Sequence, residues 1–459
     1  MDRTEQLSRF LLSVPEIELP DAVVERAKIH ILDTIGVAIG GSQTPHARES
    51  ARMIRTLGSS GHVTVIATSD TANVLDAAFL NGVSAHAIDF DDAHRFVHAG
   101  AAVVPAALAF AQYAGASGRD FLAAVVAGYE GSVRTALAGG PAHRKRGFHP
   151  TGTCNVVGAA ASAAVLMKLD PAQTVSAIGI ACSQAGGLTQ YRIDGAATKH
   201  LHAGFAARAG GVAVLLAREG LRGAAAAIDG ELGFLNVLAD GGDPEQLTAG
   251  LGESFAIATT DIKPFPSCRQ THAPVDLALR IRAHGVRPEA IEMIELRTYA
   301  YCDKPWHVTA EPPQTSLAAM LNIPYCTTMA LANGRLTLED FSDEALRRQD
   351  VHDLMRKMRV VVDDGLTAAW PGERGAILNV VAAGRAYSEQ AANPRGGVES
   401  PLGFAEIVTK FEGLSVPVLG RDRTDAIVQA VRTIDTAADL DALCALLSSR
   451  VARRQPQPA

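Results

Sequence analysis

A chain of 459 residues is longer than one hydrophobic core usually serves, so two domains are expected. With 47% hydrophobic and 20% charged residues, it can bury a sizeable core without help from a membrane or a disulfide framework. The formal net charge of -7, with Lys and Arg scattered, excludes the basic footprint of a nucleic-acid binder or of a protein held on an anionic membrane, and leaves a small molecule as the expected partner.

The first residues, Met1-Asp2-Arg3-Thr4-Glu5-Gln6, are polar and acidic where a signal peptide needs a basic flank and an apolar run, so a cytoplasmic location is expected. From Leu7 to about Asp261, apolar residues recur three and four apart between Gly and Pro, the period of an all-helical domain. Within Ala123–Arg134, Glu130 and Arg134 stand four apart and can pair on one helix face. The runs Gly158–Ala164 and Gly223–Ala227 offer small side chains that let helices approach closely, and no apolar run has the length of a membrane span.

Beyond Lys263 the texture changes. Ile291–Tyr299 alternates apolar and charged residues as a strand does, Met358–Val362 is β-branched, and Ala376–Val381 is a third strand candidate. Helix-like segments such as Leu338–Leu346 lie between them, which makes this part a smaller α+β unit. From Pro401 the helical pattern returns, and Val451–Ala459 reads as a polar tail. The expected fold is therefore mainly α: an all-helical domain over 1–265, an α+β domain over 266–400, and C-terminal helices over 401–459 that rejoin the first domain.

Four segments concentrate reactive groups. His86–Gly100 interleaves Asp89, Asp91 and Asp92 with His86, His94 and His98, a mixture in which carboxylates and imidazoles shift one another's pKa toward acid–base use. The same residue types suit a divalent metal, and a solvated turn with helix-capping aspartates is the plainer alternative. Gly147–Thr153 presents His149 on a loop at a helix mouth, where free amides attract anions and the Thr hydroxyls can cap the helix. Arg192–Gly204 sets Lys199 beside His200 and His202, and a lysine there can stabilise the charge that forms when a C–H beside a carboxylate ionises. Lys263–Asp276 carries Lys263, Arg269 and His272 on a stretch stiffened by Pro264 and Pro266, near the expected domain boundary. A fifth, weaker element is Leu321–Tyr325, whose Tyr325 phenol can donate a proton or pack in a core. The six cysteines are dispersed without a C-x-x-C pair, and no dinucleotide, P-loop, zinc-protease or nucleophile-elbow motif is present.

Asp33-Thr34-Ile35-Gly36, His86 to Asp92, Gly147 to Thr153, Asp194 to Gly204, Lys263 to Asp276 and Ile323-Pro324-Tyr325, taken in this order, resemble the MmgE/PrpD family along essentially the whole chain. The resemblance implies a large helical domain closed by a smaller α+β lid, a homodimer, and an active site in the cleft that needs no metal or other cofactor. It implies an enzyme that makes or quenches a carbanion beside a carboxylate of a small polycarboxylic acid. A hydro-lyase of the 2-methylcitrate dehydratase type is the first expectation, with an epimerase of the iminodisuccinate epimerase type or a cis-aconitate-type decarboxylase as alternatives. Asp89, His98, His149, Lys199 and Tyr325 become the candidate catalytic residues, and Lys263, Arg269, His272 and Arg192 the candidate carboxylate-binding ones. In this assignment His98 or His149 moves the proton, Asp89 orients an imidazole, and Lys199 with Lys263 holds carboxylate. The chain departs from the decarboxylase pattern at Ala93, where Thr is usual, and at Cys268, where His is usual. It departs from the dehydratase pattern His-Pro-Ser at His98-Ala99-Gly100, and His200 replaces an arginine more often found after Lys199.

Overall fold

A computed structural model describes residues 2–449, and Val451–Ala459, read as a polar tail, lie outside them. Small residues set how the helices of the first domain meet. Helix Val74–His86 begins at Asn73, whose side chain accepts from the amides of Leu75 and Asp76. It crosses helix Thr198–Arg218 at paired glycines, where a Cβ on Gly82 would stand 2.9 Å from the Gly204 Cα, so any larger residue would force the backbones apart. Helices Gly100–Ala114 and Asn155–Leu166 are buried on nearly all sides, as uniformly apolar segments must be. Helix Gly118–Lys145 starts on a Ser117 cap and kinks at Gly140 (φ 56°, ψ -158°), one residue before Pro141. Glu130 and Arg134 form a buried ion pair at 2.6 Å on this helix, and the guanidinium also donates to the Ala249 carbonyl at 2.7 Å.

Two large cores organise the described residues, beside two small clusters around Ile88 and around Tyr191. The larger includes Leu32, Ile35 and Val125 from the N-terminal helices and Ile407, Phe411, Ile427 and Leu447 from the C-terminal ones. Helix Phe404–Leu419 lies on helix Asp21–Gly41, and Lys410 reaches Asp33 at 2.6 Å across that contact. The smaller core begins at Phe265 and is built from Val275 and Leu277 on helix Arg269–Ala283, Met329 on helix Ile323–Asn333, and the buried face of a sheet. The fold is thus mainly helical, with a smaller α+β unit inserted between segments of the helical core. Among the described residues, no helix is long and apolar enough to cross a membrane.

The sheet runs Met358–Val362, Ile291–Thr298, Ala376–Ala382, Arg385–Ala391, with the first pair parallel and the rest antiparallel. Alternation predicts the inward residues of Ala376–Ala382 well: Ala376, Leu378, Val380 and Ala382 are all buried. In Ile291–Thr298 an irregularity between Ile291 and Met293 shifts the phase, so Met293 is exposed and Ile294, Leu296 and Thr298 face inward. Arg385–Ala391 is a polar edge strand whose sequence gives little apolar signal. Leu338–Leu346 is not one helix but two 3₁₀ turns, Leu338–Phe341 and Ala345–Arg347, because Ser342 is extended between them (φ -72°, ψ 158°).

Candidate active site

The loop 87–99 joins helix Val74–His86 to helix Gly100–Ala114, and its aspartates are not solvated. Asp89, Asp91 and Asp92 are all buried. Asp92 ties the loop to the helices below it: one carboxylate oxygen accepts from the Gly100 amide at 3.0 Å, and the other accepts from the Tyr129 hydroxyl and lies 3.0 Å from His30 Nδ1. Gly100 is required by this packing, since a Cβ there would stand 2.5 Å from the Tyr129 hydroxyl and 2.7 Å from the Asp92 carboxylate. The backbone of His98 is held by Thr151, whose hydroxyl accepts from its amide at 3.3 Å, and by Asn155, which donates to its carbonyl at 2.7 Å.

Asp89 adopts a left-handed conformation (φ 49°), one that Asp tolerates better than most residues. Its carboxylate lies between two buried lysines, Lys199 Nζ at 2.7 Å and Lys263 Nζ at 2.5 Å, and Lys263 also donates to its main-chain carbonyl at 2.8 Å. Burial alone would raise the Asp89 pKa, but Lys199 and Lys263 outweigh it and hold the group well below the usual carboxylate range. Burial likewise disfavours a charged Lys199, yet Asp89 keeps its pKa above the ordinary value. The Asp89 carboxylate, 2.7 Å away, is the anionic partner of the Lys199 ammonium, which lines the cavity beside it.

Asp91 is the carboxylate that faces imidazoles. It lies 2.8 Å from His86 Nδ1 and 3.3 Å from His98 Nδ1, and both rings help hold its pKa well down against the effect of burial. His98 Nδ1 is also 2.7 Å from the Asp92 carbonyl, a group that can only accept. Nδ1 therefore carries the proton, and the neutral ring has its lone pair on Nε2. His149 Nδ1 is 2.9 Å from His202 Nδ1, and burial first, then the neighbouring His202 and His86 rings, pushes the His149 pKa well below its usual value. His149 precedes the short helix Pro150–Thr153, but its Thr hydroxyls do not cap that helix. Thr151 serves His98 instead, and Thr153 pairs with His143 Nε2 at 2.6 Å.

These groups surround a tight cavity of about 30 Å³ lined by Asp89, His98, His149 and Lys199 from the helical domain and by Cys268 and Arg269 from the smaller one. Arg192, Arg144 and Tyr191 complete its wall. Five cations line the cavity, namely Arg95, Arg144, Arg192, Lys199 and Arg269, against Asp89 as the lining anion, so the space suits a ligand with more than one negative charge. Lys263 does not line it and lies beneath Asp89. His272 is also set back, with Nε2 on the Ser267 carbonyl at 3.1 Å and Nδ1 facing Arg269 at 3.3 Å. Tyr325 is apart from the cavity in the smaller core, where its hydroxyl donates to the Asp340 carbonyl at 2.6 Å. The imidazole-orienting carboxylate is Asp91 rather than Asp89, whose oxygens are taken by the lysines. Arg144 and Tyr191 are cavity groups that the sequence does not single out: Arg144 sits in Arg144-Lys145-Arg146, which looks like the basic end of a surface helix.

Comparison with known proteins accounts for both parts of the chain. The MmgE/PrpD N-terminal domain matches residues 5–247, and the MmgE/PrpD C-terminal domain matches residues 265–436. The chain belongs to the MmgE/PrpD family. Similar family members include the cis-aconitate decarboxylase-like protein oryM of Aspergillus oryzae, 28% identical over 98% of this chain and 98% of its own. The cis-aconitate decarboxylase of Aspergillus terreus is 27% identical over 98% of this chain and 96% of its own, and that of Mus musculus is 28% identical over 97% and 93%.

The departures from the MmgE/PrpD patterns acquire places. Ala93 and Cys268 both line the cavity, and the Cys268 thiol donates to Gln270 Oε1 at 2.6 Å. His200 is buried, stacks on His46 at 4.4 Å, and donates from Nδ1 to the His86 carbonyl at 2.7 Å. His86, Asp91 and His98 each offer one ligand atom, all within 4.8 Å of one another, so these residues have the spacing to hold a metal ion. As they stand, both rings direct Nδ1 at Asp91, an arrangement that also serves proton transfer.

Proposed function

We propose that this chain is a metal-independent acid–base lyase of a small di- or tricarboxylate, in which His98 takes a proton from the carbon beside a carboxylate. The observation that carries this reading is the fixed His98 tautomer: Nδ1 on the Asp92 carbonyl leaves Nε2 as a base in a cavity walled by cations. Ionising such a C–H places a second negative charge on a carboxylate already bearing one. Lys199, held by Asp89 on the cavity wall, and the neighbouring Arg192 and Arg269 are the groups that would stabilise it. Asp91 stabilises the imidazolium that forms, Lys263 fixes Asp89, and Asp89 fixes Lys199.

Loss of water is the primary form of the reaction: the C–H pair becomes the new C=C bond, hydroxide leaves the neighbouring carbon, and the proton on His98 is returned to it as water. Ala93 and Cys268, which depart from the decarboxylase pattern, support this choice. Loss of carbon dioxide is the second reading, supported by the cis-aconitate decarboxylases among the relatives; in it His98 starts as the imidazolium and gives its Nε2 proton to the carbanion that the departing group leaves behind. The family resemblance makes a homodimer the proposed form of the enzyme, which light scattering would test.

Proton NMR in deuterium oxide decides between these forms. Chelator-treated protein is incubated with citrate, 2-methylcitrate, cis-aconitate and iminodisuccinate. Deuterium entering beside a carboxylate with loss of water supports the hydro-lyase, and loss of carbon dioxide supports the decarboxylase. Exchange with inversion alone would make the enzyme an epimerase, and no exchange with any acid would overturn the carbon-acid reading.

A further inference from the structure

Beside the inner cavity lies a more open chamber of about 730 Å³, and the two share Phe96, Arg144 and Arg192 as a common wall. The shared arginines differ from the other buried cations of the site. Arg269 is paired with Asp261 at 3.0 Å, and Lys199 and Lys263 are paired with Asp89. Among the described residues, neither Arg144 nor Arg192 has a carboxylate within ion-pair distance. Arg192 meets the Tyr191 hydroxyl at 3.4 Å and lies beside the Tyr301 phenol, both neutral groups. Arg144 rests between rings, its guanidinium 5.8 Å from the Phe96 centroid and 5.6 Å from that of Tyr301, and its buried Nε has no partner. Two like charges held close in a partly desolvated neck are costly unless an anion joins them.

The chamber beyond the neck has an aromatic wall. Trp370 stacks on Tyr301 at 4.9 Å with the rings within 14° of parallel, and Trp306 adds an indole whose buried Nε1 lacks a hydrogen-bond partner. An apolar wall, an unused indole donor and two guanidinium groups without a carboxylate partner describe a receptor for an amphiphilic anion. A compact tricarboxylate would leave most of this space empty.

We propose that Arg144 and Arg192 form a second carboxylate subsite, and that the outer chamber takes the apolar or aromatic body of a substituted dicarboxylate whose other carboxylate reaches Lys199. The substrate class is then a dicarboxylic acid with a hydrophobic substituent. This deepens, and rests on, the reading of the inner cavity as a carboxylate site.

The chain contains two tryptophans, Trp306 and Trp370, and both line the chamber, so intrinsic emission reports on its occupancy. Phenylsuccinate and succinate are titrated against the full chain while tryptophan fluorescence is followed. Phenylsuccinate should change the emission and bind about tenfold more tightly than succinate, and Arg144→Gln and Arg192→Gln should each weaken it about tenfold. Arg144→Lys, which keeps the charge, should retain part of the affinity, and circular dichroism confirms that each variant is folded. Equal affinity for the two acids, or phenylsuccinate binding unchanged in both glutamine variants, would overturn the proposal. His98→Gln separates the two readings: it should lower proton exchange by about 10²–10⁴-fold while leaving phenylsuccinate binding intact. Exchange of compact acids without preferential phenylsuccinate binding would sink the outer subsite alone. Arginine-dependent phenylsuccinate binding without exchange of any acid would retain the subsite and remove the lyase.

Discussion

Lys263 meets Asp89 twice, at the main-chain oxygen (2.8 Å) and at the carboxylate (2.5 Å), and is itself fully buried. It acts as a clamp on the left-handed turn that presents Asp89 to Lys199. The two lysines should therefore fail differently. Lys263→Met leaves a buried carboxylate and carbonyl short of a partner and should cost about 3–5 kcal/mol in urea unfolding. Lys199→Met leaves that clamp in place and should reduce turnover by about two to three orders of magnitude with a much smaller loss of stability. Near-normal turnover in Lys199→Met would remove it from the chemistry.

His98→Gln should lower turnover by about 10²–10⁴-fold while substrate affinity changes little. The tautomer can be read directly, because nitrogen NMR of the neutral protein should show His98 protonated on Nδ1 and bare on Nε2. The opposite tautomer would shift the role of base to another imidazole, with His149 next in line.

Stability should fall toward acid for a definable reason. Burial lowers His86, His94 and His202 to about 4, against 6.5 in the unfolded chain. Their contribution is fully present above about 6.5. As the pH drops from there to about 4, the unfolded chain binds protons that the folded chain refuses, so the unfolding free energy decreases by at most about 1.4 kcal/mol per pH unit for each imidazole. Urea unfolding at a series of pH values checks the slope, and a flat profile between pH 6.5 and 4 would contradict the buried neutral histidines.

Prolonged treatment with a strong chelator should leave proton exchange unchanged. Loss of exchange, restored by a divalent ion and abolished in Asp91→Asn, would instead assign His86, Asp91 and His98 to a metal.

Gly100→Ala should destabilise the fold by about 1–3 kcal/mol, since the added Cβ would meet the Tyr129 hydroxyl, the Asp92 carboxylate and Thr34. Because the Asp92 carbonyl sets the His98 tautomer, turnover should fall as well, measured alongside stability in the same variant.

Periodicity and composition were enough to read a mainly helical chain with an α+β unit after Lys263, because burial of one helix stripe or one sheet face imposes a local pattern on sequence. The ordered motifs were enough to place the chain in its family. The segments that hold the site, His86–Gly100 and Arg192–Gly204, also stood out, since buried ionisable residues rarely cluster by accident. Which carboxylate served which partner was not legible. Asp89 and Asp91 are two residues apart, yet a left-handed turn at Asp89 sends one to lysines brought from far along the chain and leaves the other with His86 and His98. Tyr325 and Arg144 exchanged importance for the same reason: a buried carbonyl claimed the phenol, while an arginine from a basic helix end was left unpaired at the neck of the cavity. Residue type determines what a side chain can do, and only the tertiary contacts, which bring together groups distant in sequence and decide which of them lose water, determine what remains free to do it.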